Sequence, residues 1–140
     1  MSPVIVNGLH VKNKQTIGEV KIIYLASPYT AKTKELQEAN YQAVLRLCGK
    51  LLAKRNNVWS PIVHCHTMAV LYNLPTDFKF WQEYNHDFIR RCDAVWIACI
   101  PYWQNSKGVA DEIEFANYLN LPIKYVQVLF DGGLEIRDEA

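Results

Sequence analysis

The chain has 140 residues, of which 50% are apolar and 21% charged, with a formal net charge of +1 at pH 7. These values are typical of one globular domain, and so small a charge gives no support for non-specific binding to nucleic acid. No apolar run approaches the length of a membrane span and no signal-peptide pattern is present, so we expect a cytoplasmic protein that does not bind membranes. Four cysteines are scattered without a C-x-x-C pair, and we expect them to be reduced.

The first twenty residues differ in pattern from the rest and are interpreted as either an N-terminal arm or a small hairpin around Asn7-Gly8. From residue 21 to 140, short apolar runs alternate with amphipathic helical patterns, which indicates one α/β domain with a parallel sheet. The predicted strands are residues 21–27, 57–63 with a break at Pro61, 93–100 and 122–130. The predicted helices are residues 32–56, 77–92 and 107–120, and residues 131–140 are predicted to form a turn and a polar tail.

Polar side chains follow the predicted strands at the points where each strand ends. In open parallel sheets, ligands bind beyond the carboxyl ends of the strands, which lie together at one edge. These loops carry hydroxyl, aromatic and imidazole groups, which suit a polar ligand with a ring that can stack. The candidate contacts are Ser27, Pro28, Tyr29, His64, His66 and Trp103. The sequence therefore predicts a pocket at this edge, although Trp103 could equally serve in packing.

The pair His64 and His66 raises the question of a metal ion, because residues two apart in an extended segment share a face. No further His, Cys or carboxylate stands at a recognised zinc spacing. We therefore predict that the protein uses no metal and no other cofactor, and that these histidines contact substrate or hold a loop.

The helix at 107–120 begins with features that suit an anion. Ser106 is a reasonable N-cap, and Gly108 in the first turn lets a ligand approach the backbone N–H groups. The alternative is that Ser106 only caps the helix and Gly108 only eases packing. Both interpretations stay open at this point.

Glu112 lies on the apolar stripe of the same helix, together with Val109, Ile113 and Ala116. An acidic residue is favoured near a helix N-terminus, but that effect fades beyond the first turn. The carboxylate on this stripe therefore either pairs with a Lys or Arg side chain or has a functional role.

Five segments carry a resemblance to a known superfamily: "YLASPYT", "SPIVHCHTMA", "FWQEYNHDFIRRCDAVWI", "YWQNSKGVADEIEFA" and "LPIKYV". In this order they are similar to the nucleoside 2-deoxyribosyltransferase-like superfamily over about residues 21–126. The nearest branch is the group called domain of unknown function 1937, which is common in phages and bacteria. The resemblance implies a single-domain flavodoxin-like or Rossmann-like three-layer fold with a parallel sheet of about four to five strands.

The resemblance also implies roles for individual residues. Glu112 matches the glutamate nucleophile that attacks the anomeric carbon of a nucleoside or nucleoside 5′-monophosphate. Tyr24 matches a tyrosine that holds this glutamate, and Ser106 matches a serine that contacts phosphate. The most specific piece, S-x-G-V-x-x-E-I-x-x-A, includes Gly108 and Val109 as candidate substrate contacts.

The implied activity is that of an N-glycosidase or a 2-deoxyribosyltransferase. In relatives the site is completed across a subunit contact, so we expect a homodimer or a higher homo-oligomer. Two alternatives remain: a non-catalytic protein that binds or senses nucleotides, and a glycohydrolase acting on a dinucleotide such as NAD.

One position departs from the superfamily. Many relatives carry a catalytic aspartate where this chain has Asn85, and the nearest carboxylate is Asp87. Residues two apart on a helix point about 200° away from each other, so only one of them can face the pocket. The count back from Asp93 favours Asn85, with Asp87 as the second candidate. Asparagine cannot act as a general acid, which leaves the source of the proton for the leaving base open.

Overall fold

The computed structural model of the protein describes residues 4–6, 9–11 and 21–140. Strands β1 (Val4–Val6) and β2 (Leu9–Val11) pair antiparallel, with Val6 opposite Leu9. The two residues that connect them, where the sequence suggests a hairpin turn, lie outside the described residues. All remaining elements belong to residues 21–140.

A five-stranded sheet forms the centre of this part of the chain. Its strands are β3 (Ile23–Ala26), β4 (Val58–Trp59), β5 (Ala94–Ala98), β6 (Ile123–Val128) and β7 (Leu134–Arg137). They lie in the order β4-β3-β5-β6-β7, and only the last pair, β6 and β7, is antiparallel. Counted from β3 this is the order 2-1-3-4-5 of doubly wound flavodoxin-like sheets. The predicted α/β class with a mostly parallel sheet is confirmed.

Four helices connect the strands and cover the sheet. They are α1 (Lys34–Ala53), α2 (Pro61–Leu71), α3 (Phe78–Ile89) and α4 (Lys107–Tyr118). Side-chain caps start three of them: Thr33, Ser60 and Ser106 each accept a hydrogen bond from the backbone N–H three residues later. These caps satisfy N–H groups that would otherwise lack a partner in the first turn.

The core is divided by the sheet into two halves, which is what the three-layer class predicts. Leu25 and Trp96 point to one face, where they pack with the buried stripe of α1. Tyr24, Val95 and Ile97 point to the other, where they pack with α3 and α4. Alternate residues of each strand therefore serve opposite halves.

Two segments differ from the sequence prediction. The strand predicted at 57–63 ends after Trp59, because the N-cap Ser60 and the N1 residue Pro61 start helix α2. The predicted polar tail contains strand β7, which follows a turn with Gly132 at φ +89° and pairs along the edge of β6. The sequence prediction is wrong at both places, because Ser-Pro is compatible with a helix start as well as with a strand end, and the alternation of Leu134 and Ile136 is too short to indicate a strand by itself.

The described part of the chain contains no helix that is both long and apolar enough to cross a membrane. Its four cysteines, Cys48, Cys65, Cys92 and Cys99, are all free thiols.

The strand order places a crevice above the carboxyl ends of β3 and β5. The chain leaves β3 through α1 on one face of the sheet and leaves β5 through α4 on the other face. Loops that turn to opposite faces leave a gap between them, and this is where ligands of doubly wound sheets bind.

Candidate active site

Glu112 lies in the second turn of α4 and faces the sheet, with 6% of its surface exposed. The Tyr24 hydroxyl on β3 donates a 2.6 Å hydrogen bond to its Oε2, and the Asn85 Nδ2 group on α3 donates a second one of 3.1 Å to the same oxygen. None of the ion pairs among the described residues involves Glu112. The alternative of a Lys or Arg partner is therefore wrong for this part of the chain.

Burial controls the protonation of this carboxyl group. Desolvation raises the pKa of Glu112 to about 7, the hydrogen bonds from Tyr24 and Asn85 work in the opposite direction, and the charge of Asp111 raises it further. The pKa of Tyr24 is raised well above its usual value, first by burial and then by the charge of Glu112. Tyr24 therefore stays a hydrogen-bond donor, and Glu112 changes its charge near neutral pH.

The two oxygens of this carboxylate have different surroundings. Tyr24 and Asn85 both bind Oε2, and no residue of the described part of the chain forms a hydrogen bond to Oε1. Glu112 also lines a cavity of about 430 Å³ at the crevice above β3 and β5. One oxygen is thus held in place, while the other is available to a ligand.

The cavity has an apolar wall and a polar rim. Helix α2 and the first two turns of α3 supply the apolar wall, which consists of Pro61, Ile62, Ala69, Phe78 and Trp81. The loop after β3 and the start of α4 supply the polar rim, which includes Ser27, Tyr29, Asn105, Ser106 and Asp111. A largely apolar concave site with a few convergent polar groups is what small-molecule sites usually offer.

The start of α4 combines free backbone N–H groups with positive charge. Ser106 Oγ accepts a hydrogen bond from the N–H of Val109, so its own hydroxyl proton is still available to a ligand. Ser106, Lys107 and Gly108 all line the cavity, and so does Lys79 at the start of α3. A helix N-terminus and two lysines at one cavity suit a phosphate or a carboxylate.

Several predicted contacts do lie at this cavity. Ser27 lines it with a buried Oγ that has no hydrogen-bond partner in the described part of the chain. Tyr29 and His66 line it as well, and the Tyr29 hydroxyl lies 2.7 Å from His66 Nδ1. Gly108 lies close to α3, since an added Cβ would be 3.4 Å from Cβ of Phe78.

One member of each candidate pair, Asn85 and Asp87 on α3 and His64 and His66 on α2, lies away from the cavity. Asp87 is on the exposed face of α3, where it forms a 2.6 Å ion pair with Arg90, so it is not a candidate catalytic residue. His64 forms a 2.8 Å hydrogen bond between its Nδ1 and the carbonyl of Ser60 and does not line the cavity. The reason is the same in both cases: residues two apart on a helix point in nearly opposite directions.

Three further predicted contacts also lie away from the cavity. Trp103 packs against Tyr125, with ring centroids 5.6 Å apart, so the packing alternative holds for it. The side chain of Val109 is buried in the core between α4 and the sheet, and only its N–H serves the cap. Pro28 does not line the cavity either, whereas its neighbours Ser27 and Tyr29 do.

Some lining residues were missed by sequence reasoning. Phe78, Trp81 and Gln82 precede Asn85 by seven, four and three positions, so they share its face of α3. Once Asn85 is assigned to the pocket, this helical spacing predicts that the three residues also face it. Lys79 and Asp111 carried no such signal, because charged residues near helix N-termini usually face solvent.

Among the described residues, no group of three or more His, Cys, Asp or Glu side chains is placed to hold a metal ion. His64 and His66 cannot act as a pair, since α2 turns them to different sides.

The fold and the site together define a doubly wound α/β protein with a buried, raised-pKa carboxylate at its switch point. Residues 21–127 match the family described as "Domain of unknown function (DUF1937)". The chain belongs to this family, and the predicted branch is confirmed over almost the same range. No curated protein matches the chain.

Proposed function

We propose that this protein cleaves the N-glycosidic bond of a nucleoside 5′-monophosphate, or of a nucleoside, with Glu112 as the nucleophile. The observation that carries the proposal is the asymmetry of the Glu112 carboxylate. Tyr24 and Asn85 hold Oε2, and Oε1 is left for the cavity. A buried carboxylate used only for structure would be expected to have both oxygens satisfied.

The chemistry follows that of retaining glycosidases. Oε1 of Glu112 attacks C1′ of the sugar, the bond from C1′ to the base breaks, and a glycosyl ester forms on the enzyme. Water then attacks C1′ and releases Glu112, which gives hydrolysis; a second base in place of water gives transfer. The raised pKa is compatible with this role, because a poorly solvated carboxylate loses little hydration when it attacks.

The cavity fits a mononucleotide in size and in polarity. Its volume of about 430 Å³ lies within the range of small-molecule sites. The ring of Trp81, together with Ile62 and Phe78, offers an apolar surface for a base. Lys107 and the N–H groups at the start of α4 offer a site for the 5′-phosphate.

The resemblance to the nucleoside 2-deoxyribosyltransferase-like superfamily supports the same assignment. Glu112, Tyr24 and Ser106 occupy the positions that carry the nucleophile, its tyrosine partner and the phosphate contact in that superfamily. Their arrangement is independent of the resemblance: Glu112 and Ser106 line one cavity, and Tyr24 holds Glu112 from the buried side.

The test is a panel of nucleosides, nucleoside 5′-monophosphates and NAD, with release of free base followed by chromatography. We expect base from at least one 5′-monophosphate, and we expect Glu112→Gln to lower that rate by several orders of magnitude. Glu114→Gln is the matched control, because Glu114 is exposed on the same helix. A slow substrate carrying fluorine at C2′ should add its glycosyl mass to the peptide that contains Glu112, as measured by mass spectrometry.

A second candidate function is a non-catalytic protein that binds or senses nucleotides. It is favoured by one observation: the residue beside Glu112 is Asn85, which cannot deliver a proton. Saturable nucleotide binding by calorimetry with no release of base from any substrate would establish this function and end the proposal of an enzyme. Release of base from NAD alone would instead identify a dinucleotide glycohydrolase.

A further inference from the structure

A chain of hydrogen bonds runs from the cavity to the protein surface on the side of α1 and α2. The Tyr29 hydroxyl lies 2.7 Å from Nδ1 of His66, and Nε2 of His66 lies 3.0 Å from Oε1 of Glu38. Tyr29 and His66 line the cavity, whereas the Glu38 side chain is 52% exposed. The chain therefore connects a proton at the cavity wall with a carboxylate in solvent.

Each member of this chain is held by neighbours that fix its orientation. Tyr41 stacks on the His66 ring, with centroids 4.0 Å apart and planes 19° from parallel. Asn40 donates a hydrogen bond to the backbone carbonyl of Tyr29, and Gln42 donates one to Oε2 of Glu38. Both nitrogens of His66 are thus engaged, one toward the cavity and the other toward solvent.

From this geometry we infer that Tyr29, His66 and Glu38 form the proton relay that protonates the leaving base, in place of the acid that Asn85 cannot provide. Tyr29 is the residue that touches the base, while His66 and Glu38 act through it. The inference rests on the proposed function and identifies the acid of that reaction.

The proton transfers return Tyr29 and His66 to their starting protonation after each turnover. In the ready state His66 carries protons on both nitrogens and donates them to the Tyr29 oxygen and to Glu38, so the Tyr29 proton points into the cavity. As C1′ forms its bond to Glu112 and the C1′–N bond breaks, the Tyr29 proton passes to the base nitrogen. The Nδ1 proton of His66 then passes to the Tyr29 oxygen, which leaves a neutral His66 bound to Glu38. When water attacks C1′ in the second step, its proton returns through Tyr29 to His66.

The charges of the end members agree with this direction of transfer. Burial, followed by the charge of Glu38, raises the pKa of Tyr29, so the phenol is protonated before the reaction and releases its proton to the base only because His66 replaces it. Hydrogen bonds from Gln42 and then His66 lower the pKa of Glu38, which keeps that carboxylate ionised opposite His66.

The test compares two kinds of leaving group. One substrate is the ordinary nucleoside 5′-monophosphate that the wild type hydrolyses fastest. The others are 7-methylguanosine 5′-monophosphate and nicotinamide mononucleotide, whose bases already carry a positive charge and leave without a proton. Tyr29→Phe and His66→Gln should each lower kcat/KM for the ordinary substrate by about 10²-fold or more, the usual contribution of a general acid. For the cationic substrates we expect a change below about threefold, which is small beside that general-acid contribution.

The controls separate the relay from folding and from the proposed function. His64→Gln lies on the same helix but outside the cavity and should leave all rates unchanged. Glu112→Gln should abolish turnover of both kinds of substrate. Equal losses with ordinary and cationic substrates in Tyr29→Phe and His66→Gln, or no loss with either, would overturn the relay while leaving the nucleophile intact. A wild type that releases no base from any of these substrates would overturn the proposed function and the relay together.

Discussion

The hydroxyl of Tyr24 lies 2.6 Å from Oε2 of Glu112, although the two residues are 88 positions apart in the chain. A short O–H···O⁻ contact of this kind is among the stronger hydrogen bonds in proteins. It joins the central strand β3 to α4 and fixes the direction of the carboxylate. Burial nevertheless outweighs this bond, since the pKa of Glu112 is raised to about 7. The ionised form of Glu112 therefore lowers the stability of the fold, and destabilising groups of this kind are common at functional sites.

Glu112 should make the stability of the fold fall as the pH rises. Its pKa is about 7 in the folded protein and 4.5 in its ordinary state, so the folded state holds the proton more tightly. The unfolded chain therefore loses this proton first, and the free energy of unfolding decreases between those two pH values. We expect Glu112→Gln to remove this decrease, which amounts to about 3 kcal/mol.

Urea denaturation of both proteins at several pH values measures the difference. Glu114→Gln is the control for the substitution itself, because its carboxyl is exposed on the same helix. If the free energies of unfolding of Glu112→Gln and the wild type differ by the same amount at every pH, the raised pKa of Glu112 is contradicted.

Tyr24→Phe should move the pH dependence of activity. A nucleophile must be ionised, so kcat/KM for the cationic substrates, which need no proton from the relay, should rise as the pH passes through about 7. The hydrogen bond from Tyr24 lowers the pKa of Glu112, and its loss should shift the midpoint of this rise to higher pH. A pH profile of kcat/KM measures the shift, with Tyr118→Phe as a control at an exposed position of α4. An unmoved midpoint would mean that another group controls the profile.

Asn85→Asp should raise the hydrolysis of ordinary purine nucleotides. Nδ2 of Asn85 lies 3.1 Å from Oε2 of Glu112. An aspartate at this position would share a proton with Glu112 and could donate it to the leaving base. A general acid typically contributes about 10²–10⁴-fold, and we expect the largest gain in a Tyr29→Phe background, where the inferred relay is broken. Asp87→Asn is the control, because Asp87 is bound to Arg90 on the exposed face. A rate that falls in Asn85→Asp would mean that the second carboxylate only suppresses ionisation of Glu112.

The 5′-phosphate should contribute to binding at the start of α4. Charge-assisted hydrogen bonds contribute about 1.5–3 kcal/mol, so a nucleoside 5′-monophosphate should bind roughly tenfold to a hundredfold more tightly than its nucleoside. Calorimetry with Glu112→Gln avoids turnover during the titration. Lys107→Gln should reduce the difference in affinity between the 5′-monophosphate and the nucleoside. Lys54→Gln, at the C-terminal end of α1, should leave this difference unchanged. Equal affinities for the two ligands would exclude a phosphate site.

Self-association remains a prediction that light scattering can test. On helix α3, Phe80 is 50% exposed, and a subunit contact would cover this large apolar side chain. We expect at least a dimer at micromolar concentration, and we expect Phe80→Glu to shift it toward monomer. A wild type that scatters as a monomer would contradict the expectation.

Much of the scaffold and the central residue of the site could be predicted from the sequence, because they depend on local periodicity. The apolar run ending at Ala26 and the stripe of α1 have the period of one element each, and the structure contains both. The position of Glu112 on a buried stripe follows from the helix period alone. The same period excludes that Asn85 and Asp87 both face the pocket, and the count back from Asp93 to the position of the superfamily's aspartate selects Asn85, which the structure places beside Glu112.

Other features were decided only by the tertiary structure, because they depend on contacts between distant segments. Ser60-Pro61 is compatible both with a strand end and with a helix start, and the helix that formed separates His64 from His66. The hydrogen bond from Tyr24 to Glu112 is implied by the resemblance, whereas no pattern in the sequence indicates that His66 pairs with Tyr29 and Glu38, which lie in other segments of the chain. The pattern of apolar residues along the sequence predicts each helix or strand separately. Contacts between side chains of different elements depend on the strand order and on how the helices pack against the sheet.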